Sequence, residues 1–148
     1  MASTLNQIID DRTRARRLHD FLHDCAGSAP GEEAQRVREA MLELGGSGME
    51  GKGPLDVAAL HAMLESGAVT CAVLELMGPD ASFMLSRGPQ GACLASVVQN
   101  NGAEEAIAEA SSLGLALLGA HVAAVLARIE KASLDTDALP RPVSMRMH

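Results

Sequence analysis

A chain of 148 residues that is 47% hydrophobic has material for one domain with a real core. Its net charge of -7 speaks against a dedicated nucleic-acid binder: phosphate contacts need clustered cations, and Arg12, Arg14, Arg16 and Arg17 are interleaved with Asp10, Asp11 and Asp20. With no Trp or Tyr and only Phe21 and Phe83 as aromatics, a site that stacks bases, sugars or flavins is disfavoured.

The first expected element is a helix over residues 3–26, capped by Ser3 or Thr4, with Leu5, Ile8, Ala15, Leu18, Leu22 and Cys25 turned inward. Gly27 to Gly31, with Pro30 among them, breaks it. A second helix over 30–44 places Ala34, Val37, Met41 and Leu44 at heptad spacing, and the short link predicts an antiparallel pair. Gly45 to Gly53 reads as a glycine-rich loop. A third, short helix over 54–66 faces Val57, Leu60 and Leu64 inward and stops at Gly67.

From Ala68 the pattern changes. Three apolar runs, 68–77, 81–87 and 92–99, are separated by Gly78-Pro79-Asp80 and Gly88-Pro89-Gln90-Gly91, which is turn chemistry. They read as a three-stranded antiparallel meander, with buried helix as the competing reading of such short runs. A long helix over 101–132 follows, opened by Asn101 and Glu104 and closed by Arg128 and Lys131, which suit its two dipole ends. The fold class is therefore α+β: three N-terminal helices, a small antiparallel meander and one long C-terminal helix, with an all-α bundle as the alternative. Residues 1–132 form the single domain, and 133–148, with Pro140 and Pro142, a flexible tail.

The long helix organises the rest. No charged residue occurs from Ala110 to Ala127, so its middle turns have no face for water. Large aliphatics, Ile107, Leu115, Leu118, Val122, Val125 and Ile129, share one side. Small residues, Ser112, Ala116, Gly119, Ala120, Ala123 and Ala127, line the other, where a second backbone can approach closely: another helix of the chain or a second copy. The uncharged run reaches the lower length for a membrane span, but Ala, Gly, Ser and His121 make it weakly apolar, so a span is not expected.

Chemistry-bearing residues are few. His19 and His23 stand one helical turn apart, the spacing by which two imidazoles grip a divalent metal, and a third ligand would come from His61, Glu65 or a second chain. Local pairs such as Arg16 with Asp20 are the plainer reading. The run from His23 to Ala29 resembles a fragment of the histidine phosphotransfer motif, which implies a phospho-accepting His23 on a four-helix bundle. Ala26 stands where that family has Lys, and Pro30 stands where it continues the helix.

Gly46 to Gly53 has the glycine and lysine spacing of a phosphate loop, yet Gly53 replaces the magnesium-holding hydroxyl and Glu50 sits inside the cradle. Met145, Met147 and His148 are donors for a soft copper ion. Three cysteines without a close pair, and an N-terminus without signal-peptide character, point to a reducing cytoplasm. The expected function is a non-catalytic protein interaction module (adaptor, small chaperone or regulatory subunit), homodimeric through the long helix, with itself or another protein as partner and no required cofactor. A metal- or phospho-responsive regulator using His19 and His23 is the alternative.

Overall fold

The computed structural model describes residues 2–45, 56–99 and 105–138. Helix α1 spans Ala2–Gly27, and a 3-10 turn at Pro30–Glu32 leads into α2, Glu33–Gly45. Helices α3, Val57–Glu65, and α4, Val69–Met77, follow. Strands β1, Ala81–Arg87, β2, Cys93–Gln99, and β3, Glu105–Ala110, form one antiparallel sheet in the order β1-β2-β3. Helix α5, Leu113–Ala138, closes the fold. The class is α+β, with an antiparallel meander and a long C-terminal helix.

Two elements differ from the sequence expectation. Residues 69–77 are a helix, not the first strand. Their buried positions, Val69, Ala72, Val73, Leu76 and Met77, recur at the three- and four-residue steps of a helix face, and Glu75 points outward. Glycines in the left-handed region, Gly67 at φ 84° and Gly78 at φ 81°, separate α4 from its neighbours. Residues 105–110 are the third strand, not the start of the long helix. Ala106, Ala108 and Ala110 turn toward the helices, while Glu105, Ile107 and Glu109 turn out, a strict two-residue period. Good helix formers are held extended here because β2 supplies the pairing.

The turn into α5 is held by three serines. Ser112 caps the helix by accepting from the Leu115 N–H at 3.1 Å, and its hydroxyl donates to Glu33 Oε2 at 2.6 Å. Ser111 donates to the Ser28 carbonyl at 2.7 Å. Ser28, buried, accepts from Arg36 Nε at 2.8 Å. The α1–α2 corner is thereby tied to the start of α5.

The core runs along α5, with β2 and β3 on one side and α1, α2 and α4 around the rest. Leu115, Leu117, Leu118, His121 and Val122 are fully buried. Segment Leu113–Leu134 is long and apolar enough to cross a membrane, but most of it is buried inside the fold as its central helix. Leu5 and Val57, expected inside, are exposed, and Phe21 is buried instead. The expected tail is helical through Ala138. Residues 139–148, which include Met145, Met147 and His148, lie outside the described residues, as does the phosphate-loop-like 46–53.

Candidate interaction surface

The small-residue stripe of α5 is close-packed as its composition requires, but the backbone that approaches it belongs to the same chain. Ala116, Gly119 and Ala120 are buried, Ser112, Ala123 and Ala127 half-buried. A Cβ at Gly119 would stand 3.1 Å from the Ala108 Cβ of β3. One at Gly114 would meet Glu33 Oε2 at 2.9 Å and Val69 at 3.2 Å. Alanine and glycine on the helix face alanine on the strand, which lets the two elements approach closely. A second copy therefore finds Ala116, Gly119 and Ala120 of the expected dimer contact already covered, while Ser112, Ala123 and Ala127 keep part of their surface.

His19 and His23 are both exposed on α1. His19 Nε2 lies 3.2 Å from Glu130 Oε2 of α5, a surface pair beside a cleft of about 680 Å³ lined by Arg12, Arg16, Ile129 and Leu134. Among the described residues no group of three His, Cys, Asp or Glu side chains is gathered to hold a metal, so neither His61 nor Glu65 completes the site. Around His23 the helix ends at Gly27, and Pro30 opens the 3-10 turn, whose Glu32 accepts from the Ala29 N–H at 2.8 Å. Ser28 is engaged by Arg36, and α1 packs on α5 and alongside β3. This is not the four-helix bundle that the phosphotransfer resemblance implies.

Cys25 is buried, and loss of water pushes its thiol up to about 12, with Arg36 partly opposing and Glu39 and Asp24 reinforcing. It stays protonated and is no nucleophile at neutral pH. Arg36 itself is held above its ordinary value by a hydrogen bond to Glu39 at 2.7 Å.

What remains open is the sheet. Pairing across β1, β2 and β3 brings Met84, Ser96 and Ile107 into one row on the face away from α5, with Leu94 beside it. Met84 is 74% exposed, Ile107 57% and Leu94 42%. Three large apolar side chains share one exposed face on which singly scattered ones would need no explanation. On the opposite face, α5 lies over β3 and β2 and scarcely reaches β1, so Phe83 is left 42% exposed although it points to the helix side. Among the described residues, strand β1 bonds to β2 along one edge only. The sequence carries this signal in the alternation of 81–87 and 105–110, although the residues of the second also fit a helical period.

No known protein family, curated protein or solved structure matches this chain.

Proposed function

We propose that the chain is a non-catalytic protein interaction module, an adaptor, small chaperone or regulatory subunit of the reducing cytoplasm, and that it engages its partner through the sheet. The observation that carries this reading is the exposed cluster of Met84, Leu94 and Ile107 on a sheet whose β1 edge is unpaired among the described residues. Apolar area on a sheet face gains by being removed from water, at roughly 25 cal/mol per Å² before association costs are subtracted. An open strand edge adds main-chain hydrogen bonds to that gain.

The test is site-specific photo-crosslinking in extract of the source cells. A photoreactive residue at position 84 or 107 is expected to give discrete adducts, whereas the same residue at Leu42, 82% exposed on α2, gives none. Adducts absent from both sheet positions, or equally abundant at Leu42, would dismiss the reading.

A further inference from the structure

We infer that the β1 edge is the site at which two copies of this chain associate, by antiparallel pairing of β1 with β1 about a twofold axis at Met84. The inference rests on the interaction-module reading and names its partner. Three observations converge on it.

The first is that β1 lacks the usual defences of an edge strand. Its seven residues, Ala81–Arg87, contain no Pro and no bulge, they pair with β2 in unbroken register, and the single charge stands at the end. The other edge, β3, is guarded. Glu105 and Glu109 flank Ile107, so antiparallel self-pairing about Ile107 would set Glu105 opposite the partner's Glu109, like charge against like.

The second is self-complementarity. With Met84 on the axis, Ser82 faces the partner's Ser86 and Met84 faces the partner's Met84 on the outer side. Phe83 faces the partner's Leu85 on the helix side. These inner pairs are matched in polarity, the end pair sets Ala81 opposite the partner's Arg87, and the pairing covers Phe83 where α5 leaves it bare. The twofold makes the contact closed and isologous; joining β1 of one copy to β3 of the next would leave edges free and grow a filament.

The third is charge. Asp80 precedes the strand and Arg87 ends it, both exposed and neither in an ion pair among the described residues. Antiparallel pairing sets each Arg87 opposite the partner's Ala81, one residue from Asp80, whereas parallel pairing would stack Arg87 on Arg87.

The full chain, measured by light scattering across micromolar concentrations, is expected to show twice the 15.4 kDa chain mass. The double variant Ser82→Lys with Ser86→Lys sets like charges opposite each other at both pairs and is expected to weaken dimerisation roughly thirty-fold. The variant Ser82→Glu with Ser86→Lys has the same number of substitutions but sets opposite charges face to face, and is expected to restore the dimer. Both serines are exposed on the outer face, so each variant is expected to fold, and circular dichroism is the check. A monomeric wild-type chain, a filament, or a dimer indifferent to the two charge patterns would overturn the proposal. The crosslinking at positions 84 and 107 separates the two readings: adducts with other proteins and a monomeric chain would leave the module reading standing and remove this one.

Discussion

Replacing Ala120 by Leu is expected to destabilise the single chain by about 3 kcal/mol or more, or to prevent folding, without first dissociating any dimer. Ala120 has no exposed surface, and it lies on the helix that carries β2 and β3 on one side and α1, α2 and α4 around the rest. Three added carbons have nowhere to go except into side chains already in contact, and close-packed interiors yield to such insertion only by off-rotamer side chains and shifted backbone. Since the obstruction is within one chain, thermal unfolding of the variant should show the same loss at low and high protein concentration. The exposed Leu42→Ala change serves as the control and should move stability by no more than about 0.5 kcal/mol. A well-folded Ala120→Leu chain whose only defect is loss of dimer would contradict the burial of this position by its own chain.

The second large effect is alkaline. Cys25 ionises near 9.0 when water surrounds it and near 12 in the fold, where burial penalises the thiolate most and Arg36 only partly compensates. The folded-state value is the higher one, so the native chain holds the proton more tightly than the unfolded chain. The corresponding stability is fully present below 9.0, and it is lost as pH rises toward 12 because the unfolded thiol ionises first. Each pH step inside that window costs about 1.4 kcal/mol, so by about pH 10.5 this one group lowers stability by ~2 kcal/mol. Urea unfolding of wild type and Cys25→Ala across that range isolates it, since other alkaline titrations are common to both. The difference in stability between the two proteins should narrow as pH rises; a difference independent of pH would mean that Cys25 is as readily ionised in the fold as outside it.

How far the fold is legible in the sequence depends on which physical signal each segment carries. The α1–α2 break at Gly27 and Pro30, the buried Val37, Met41 and Leu44, and the strands 81–87 and 93–99 between turn residues are all marked locally, by backbone chemistry or by period. Segments 69–77 and 105–110 are marked only by their surroundings. Val69–Met77 has β-branched residues at 69, 70 and 73 that favour a strand, yet its buried positions follow a helix, and packing against α3 and α5 decides. Glu105–Ala110 has helix-forming residues throughout, yet β2 offers them a ladder. The enclosure of α5 was legible in its uncharged middle. What encloses it was not, because Ala and Gly at a close contact are the same residues whether the approaching backbone is β3 of the same chain or a helix of another. The exposed sheet face is hidden for a related reason: Ile107 fits the large stripe of a helix by spacing, yet as a strand residue it stands opposite Ser96, in a row with Met84.

The most direct test of where this chain associates is amide hydrogen exchange at two protein concentrations, one well below and one well above the dimer's dissociation constant. Pairing at the β1 edge predicts that amides of residues 81–87 exchange more slowly at the higher concentration, while amides of residues 113–126 in α5 exchange slowly and equally at both. Concentration-dependent protection along α5 with none in β1 would contradict it.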